Sequence, residues 1–302
     1  MRGSLAMTDP AALILNTSSG VDSSHGSLPA LLRESGIDAK IVIVSKGADI
    51  TAQARQLLQS GVRTLIAAGG DGTVSSVAAA LAGTDATLGI LPLGTLNHFA
   101  KDLKLPLDLE GAVRNLRTGA VRAVDLAEVN GRAFVNNSGL GLYPSMVKQR
   151  ERFRRLGQRK WMAFFHAMLA TFRRFPFLEV GLLAGGETIA RRTPFVFVGN
   201  NVYRMEGIDL GSRESLTGGL LCLGVAHRRI GRWGLVRLAF RALFGRLGRE
   251  HDFTILATTE LRIASRHKRL PVSIDGEVVL LETPLDYRIR PGALRVIAPE
   301  AQ

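Results

Sequence analysis

An α/β domain followed by an antiparallel β-sandwich with helical insertions is the fold class that this sequence predicts. Three observations carry the prediction. Up to about residue 125, short apolar or β-branched runs alternate with helix-like stretches, the order of a parallel sheet covered on both faces. Beyond that point short strands follow one another without helices, the texture of a sandwich. The positive charge, +13 net over 302 residues, is concentrated in two stretches that interrupt those strands.

The first strand is Ala11–Asn16 (AALILN), closed by the turn residues TSSG. Leu28–Ser35 has helical spacing, Lys40–Val44 (KIVIV) is β-branched, and Ile50–Gln59 is a second helix stopped at Gly61. Arg63–Ala68 is a third strand, Thr73–Leu81 a third helix and Thr87–Leu91 a fourth strand, followed by PLGT and a helix around Asn97–Leu103. Ligands in such sheets bind beyond the C-terminal strand ends, where Asn16, Gly69–Thr73 and Pro92–Asn97 fall. Then come nine expected strands: Asp125–Val129, Arg132–Asn136, Glu179–Leu183, Pro194–Gly199, Leu220–Ala226, Thr254–Ala257, Glu260–Ala264, Leu270–Ile274 and Glu277–Leu281. Tyr287–Ala298 is a further strand that either domain could recruit. The expected division is 7–128 and 129–302, with the C-terminal segment able to return to the first domain.

Composition narrows the class. An apolar fraction of 46% belongs to a packed globular chain rather than a disordered one. The single cysteine, Cys222, excludes a disulfide framework and fits a reducing, cytosolic setting. The six histidines show no metal-binding spacing. The N-terminal MRGSLAMTDP lacks the apolar core of a secretory signal; MRGS resembles an added leader, and Met7 is the expected native start. The apolar run Trp161–Phe172 is too short to span a bilayer, so any membrane contact is expected at the surface.

Charge is divided unevenly. Residues 1–130 carry 11 Lys/Arg against 12 Asp/Glu; residues 145–175 carry nine basic side chains against Glu151, and 227–250 carry seven against Glu250. A localised basic face implies an anionic partner. Within 149–175 the basic residues alternate with Phe153, Trp161, Phe164, Phe165 and Phe172, and within 231–247 with Trp233 and Phe244. Basic amphipathic helices with aromatics suit anionic membrane surfaces. Solvated charges on helices packed against the sandwich are the plainer alternative. Nucleic acid is not expected, since no recognition fold accompanies the charge.

The chemistry-bearing stretch is Gly69-Gly-Asp-Gly-Thr73 between the third strand and third helix. Its glycines leave backbone N–H groups free to close around an anion, and the helix aims its positive end at the same place. Thr73, Ser75 and Ser76 add hydroxyls. Asp71 repels phosphate unless it holds Mg²⁺ beside it, directly or through water. A strand-to-helix turn with a capping Asp is the competing reading. Leu91-Pro-Leu-Gly-Thr-Leu-Asn-His-Phe-Ala100 repeats the glycine turn at the next strand end. Ile274-Asp-Gly-Glu277 sets two carboxylates in one turn, although Asp-Gly is also a common hairpin signal.

Taken together, GGDGT, PLGTLNHFA, VDLAEVNGRAFVNNSGLGL (124–142), IDGE and ETPLDYRIRPGALRVIAP resemble the diacylglycerol kinase catalytic domain family, which includes bacterial soluble lipid kinases and sphingosine kinases. NAD kinases share only the GGDG turn. The resemblance implies a nucleotide-binding first domain and a lipid-substrate second domain, with ATP in the cleft between them. The phosphates would lie against Gly69, Gly70, Asp71, Gly72, Thr73, Val74 and Ser75, with Thr95 and Asn97 close by. Asn16 and Gly20 would keep two positions of an N-terminal Asn-Pro-x-Ser-Gly turn, and Ser45 would line the nucleotide site. Asp275 and Glu277 would form the catalytic carboxylate pair together with Asp71, one of the pair taking the proton of a lipid hydroxyl. The resemblance leaves the Mg²⁺ ligands open, with Asp71 and Asp125 as candidates to hold it through water.

Three departures stand out. Thr17 replaces the turn's proline. His98 stands where the family usually has Asp. Ser215–Leu220 lacks the acids of an accessory Mg²⁺ site, which is therefore not expected here. The resulting expectation is an ATP- and Mg²⁺-dependent lipid kinase, with diacylglycerol as default acceptor. It would be cytoplasmic, peripherally bound to anionic membrane through 149–175 and 231–247, with a homodimer compatible. An NAD kinase-like enzyme and a non-catalytic nucleotide- or lipid-binding protein are the alternatives.

Overall fold

The computed structural model describes residues 10–17, 28–45, 47–141, 178–184, 187–203, 213, 215–226 and 253–300. The basic segments 149–175 and 231–247, and with them the expected helical insertions, lie outside the described residues, as does Gly20.

Four parallel strands open the fold: β1 (Ala11–Asn16), β2 (Ala39–Val44), β3 (Thr64–Gly69) and β4 (Thr87–Pro92), in the order β2-β1-β3-β4. Every residue of β3 and β4 is buried, as expected where helices cover both faces. On one face α2 (Ile50–Gln59), α3 (Asp71–Leu81) and α4 (His98–Asp102) pack through Ala54, Val77, Leu81 and Phe99 against Leu65 and Leu88. On the other, α1 (Leu28–Glu34) and α5 (Leu109–Thr118) pack through Leu32, Val113 and Leu116 against Leu13 and Ile66. Asp49 and Asp108 cap α2 and α5, accepting from Ala52 N at 2.9 Å and Gly111 N at 2.7 Å.

The second domain is all strand among the described residues. Its antiparallel six-stranded sheet runs β12 (Phe253–Thr258), β11 (Leu221–Ala226), β10 (Phe195–Asn200), β7 (Asn137–Gly141), β14 (Arg269–Ile274) and β15 (Glu277–Glu282). Facing it are β5 (Ala120–Val129), β6 (Arg132–Phe134), β8 (Leu178–Ala184), β9 (Glu187–Thr193), β13 (Glu260–Ser265) and the start of β16 (Leu285–Ala298). Leu140, Val198, Leu223 and Val272 from one sheet meet Leu182, Ile263, Phe134 and Tyr287 from the other, a sandwich core.

β16 belongs to both domains. Its first half pairs antiparallel with β13 (Glu260↔Arg288) and its second half runs parallel to β4 (Arg295↔Thr87, Val296↔Leu88). Along its length it pairs with β5, and the register shifts between Arg290 and Leu294. That irregularity carries Gly292 at φ 62°. The buried Asp125 holds it: one carboxylate oxygen accepts from Gly292 N at 2.9 Å and the other from Gly219 N at 2.7 Å.

Candidate active site between the two domains

β3 ends in a turn whose glycines are required by close approach. A Cβ on Gly69 would come within 2.5 Å of Thr73 Oγ1, and one on Gly94 within 2.5 Å of Gly70 Cα and 2.7 Å of Asn97 Oδ1. The 69–73 and 92–98 loops are therefore in backbone contact. Gly70 is the N-cap of α3 and supplies no side-chain cap. Thr73 N and Val74 N donate to Gly70 O at 2.9 and 3.1 Å, which leaves the N–H groups of Asp71 and Gly72 for an anion at the positive end of the helix.

Side chains lock this arrangement. Asn97, left-handed at φ 51°, folds back over its own loop: its Nδ2 donates to Gly94 O (2.9 Å) and Pro92 O (3.2 Å), and its Oδ1 accepts from Gly94 N (3.1 Å). Asn16 Nδ2 donates to Thr73 Oγ1 at 3.0 Å, joining the end of β1 to α3. Asp71 reaches across the two loops, and its Oδ1 accepts the His98 N–H at 2.7 Å. Its second oxygen has no partner among the described residues. The His98 imidazole and Thr95 are exposed beside it.

The second domain supplies the hairpin between β14 and β15. Asp275 and Gly276, at φ 45° and 86°, form the two-residue turn that Asp-Gly favours, with Ile274 paired to Glu277. The Asp275 carboxylate is fully engaged: Oδ1 accepts from Asn136 N (2.8 Å) and Asn137 N (3.0 Å), and Oδ2 from Val135 N (2.9 Å). Burial pushes the Asp275 pKa above the ordinary carboxylate value, against the pull of the backbone donors at Val135 and Asn136 and of the Ser75 hydroxyl. The Ser75 hydroxyl is buried and acts on the Asp275 carboxylate, so α3 and the hairpin face each other across the cleft. Glu277 is exposed and has no hydrogen bond or ion pair among the described residues. Of the two acids in the turn, Glu277 is thus free to handle a proton.

The expected residues are distributed unevenly. Gly69–Ser75, Asn97 and Asn16 converge, with Thr95 at the rim, and Asp275 comes to them through Ser75. Asn97 spends its amide on its own loop, and Val74 is buried in the core. Ser45 is exposed at the end of β2. Asp125 spends both oxygens on Gly219 and Gly292, a joint between chain segments rather than an open carboxylate. No group of three or more His, Cys, Asp or Glu side chains suited to a metal ion occurs among the described residues. If Mg²⁺ were carried by nucleotide phosphates, the second carboxylate oxygen of Asp71 would be the protein group able to hold it among these residues.

Sequence reasoning missed Arg213. Its guanidinium is fully buried and pairs with Asp102 at 2.7 Å, and it also donates to Val135 O and to Asn136 Oδ1. It lies over the rings of Phe99 (5.6 Å) and Tyr203 (5.7 Å). Burial, acting first, raises the Tyr203 phenol pKa, keeping it a neutral donor to Asn136 O at 2.8 Å. No local signal in GSRES marks Arg213, because its partner stands 111 positions away.

Comparison with known proteins agrees with this architecture. Residues 10–129 match the model of the diacylglycerol kinase catalytic domain, and residues 142–298 match that of the YegS C-terminal NAD kinase beta sandwich-like domain. A Pseudomonas fluorescens protein named Probable lipid kinase YegS-like is 30% identical over 96% of this chain and 95% of its own. One of that name from Klebsiella pneumoniae is 38% identical over 46% of this chain and 48% of its own. The crystal structure of a diacylglycerol kinase from Bacillus anthracis superposes with a TM-score of 0.70 at 22% identity, covering 97% of both chains. The fold predicted from sequence, α/β then antiparallel sandwich, is the fold found.

Proposed function

The chain belongs to the diacylglycerol kinase catalytic domain family and carries its YegS-type C-terminal domain, and from that premise we propose that it transfers the γ-phosphate of ATP to a lipid hydroxyl. The observation that carries this reading is the apposition of an open glycine-rich helix N-terminus to a hairpin whose one unengaged acid is Glu277. The N–H groups of Asp71 and Gly72 at the start of α3 bind the phosphates by donation and by the helix dipole. Asp71, on its free oxygen, would hold Mg²⁺, which supplies neutralisation of phosphate charge during transfer. Glu277 takes the proton as the hydroxyl oxygen bonds to the γ-phosphorus and the bond to the ADP oxygen breaks. Asp275 holds the hairpin that presents Glu277.

Diacylglycerol is the acceptor we propose. No helix among the described residues is long and apolar enough to cross a membrane. We assign contact with a cytoplasmic anionic bilayer to the basic segments 149–175 and 231–247. The test is transfer of radiolabelled phosphate from ATP to a panel of diacylglycerol, sphingoid base and monoacylglycerol in vesicles with and without anionic lipid. Labelled phosphatidic acid, dependent on Mg²⁺ and greater on anionic vesicles, is the expected product. ATP binding without transfer to any lipid would instead support a non-catalytic binder, the reading favoured by His98 in place of the usual Asp.

A further inference from the structure

We propose that Arg213 is a positioning residue that sets the register of the Glu277 hairpin against the Asp71 loop, through Asp102 on one side and Val135–Asn136 on the other. The inference rests on the kinase reading and adds to it a link between the two half-sites.

The link can be followed bond by bond. Asp71 accepts the N–H of His98, the first residue of α4. Asp102 is the last residue of that five-residue helix, and its Oδ2 accepts from Arg213 Nε (2.8 Å) and Nη2 (2.7 Å). The other edges of the guanidinium donate to Val135 O, to Asn200 O (3.3 Å) and to Asn136 Oδ1 (3.2 Å). The same two residues that Arg213 holds by their acceptors are held by their N–H groups at Asp275. Asn136 O is held as well, by the Tyr203 hydroxyl. Val135–Asn136 is therefore a bar gripped from both sides, by Arg213, itself tied to Asp102 of the first domain, and by the catalytic hairpin through Asp275.

The chemistry of arginine suits this and that of lysine does not. A planar fork satisfies a carboxylate on one edge and carbonyl oxygens on the other, and its faces stack on Phe99 and Tyr203. A lysine ammonium could answer Asp102 but could not span to Val135 and Asn136 as well. The buried charge is matched by Asp102, whose side chain is 8% exposed against 0% for Arg213. The pair is thus shielded from solvent, and it joins the domains at a fixed distance.

The test uses Arg213→Lys in the full chain, with hydrogen–deuterium exchange and kinetics read together. We expect exchange at residues 135–137 and 272–279 to rise by about tenfold or more while β3 is unchanged. Turnover is expected to fall by roughly ten- to a hundredfold at an ATP KM within about twofold of the parent, the signature of misplacement rather than lost binding. Should Arg213→Lys fold poorly, Tyr203→Phe, which removes the hydroxyl's hold on Asn136 O and keeps the ring under Arg213, is expected to give the same pattern at smaller amplitude. Unchanged exchange at 135–137, or a uniform rise across the whole chain, overturns the proposal. A local rise in a protein whose parent transfers no phosphate supports the clamp and overturns the kinase reading instead.

Discussion

Adding one methyl group at Gly94, Gly70 or Gly72 should have three different consequences, and the structure ranks them. At Gly94 the new Cβ would sit 2.5 Å from Gly70 Cα and 2.7 Å from Asn97 Oδ1. Backbone on one side and a triply bonded amide on the other leave nothing cheap to move. The two loops must part, at a cost of about 1–3 kcal/mol from overpacking alone, or a melting temperature lower by roughly 2–10 °C. Because the phosphates are proposed to lie where the loops meet, ATP affinity should fall with it. At Gly70 the approach is 3.3 Å to Gly94 Cα, so a few tenths of an ångström of give suffices and the loss should be smaller. At Gly72 nothing lies within 4 Å, and alanine in a helix should stabilise α3 by up to about 1 kcal/mol. Thermal unfolding by circular dichroism and ATP binding by calorimetry check the series. A Gly94→Ala protein as stable as Gly72→Ala, with parental ATP affinity, would refute the loop-contact argument.

Glu277→Gln should leave stability within about 0.5 kcal/mol, since the side chain is exposed and without a partner among the described residues, and lower turnover by roughly 10²–10⁴-fold, as expected for loss of a general base; lipid phosphorylation and urea unfolding together check it. Asp275→Asn places an amide NH₂ against backbone donors and should cost about 1–3 kcal/mol. Burial raises the Asp275 pKa above its ordinary 3.8, so folding favours the protonated form, and its stabilisation is present below that ordinary value and declines as pH rises through the raised one. The gap in urea midpoint between parent and Asp275→Asn should therefore narrow from pH 4 to pH 7, and widening would contradict it. Asp125→Ala should unfold at lower denaturant, having orphaned the Gly219 and Gly292 N–H groups. Asp71→Asn, which keeps an acceptor for His98, should unfold like the parent and raise the Mg²⁺ concentration for half-maximal turnover.

Local pattern made much of this legible. Ala11–Asn16 and Ile50–Gln59 read correctly to the residue, because an apolar run and a 3.6-residue period are local properties. Asn137–Gly141 (NSGLG) is a central strand of the sandwich that no propensity announces; Ser138 and Leu140 are buried there between two partner strands. Leu109–Thr118 also escaped notice, although Asp108 stands at its cap. At the site, the Asp-Gly turn admitted two readings, hairpin or catalytic pair, and the structure supplies the hairpin with only one acid left free. Asp125 looked like a metal carboxylate because its partners are backbone N–H groups from remote chain segments. Arg213 was invisible for a related reason: a buried ion pair has no signature until the topology brings its halves together.

β16 also bears on how the protein is made. The parallel sheet behind the glycine loops gains its last partner at Arg295–Val296 of β16, so the first-domain half of the site cannot reach its final sheet until this late segment has left the ribosome. The first 128 residues must wait with the β4 edge unpaired. A nascent chain halted before β16 should therefore present an open strand edge to chaperones rather than a half-active enzyme. Swapping the second domain among relatives would have to carry this strand across the join.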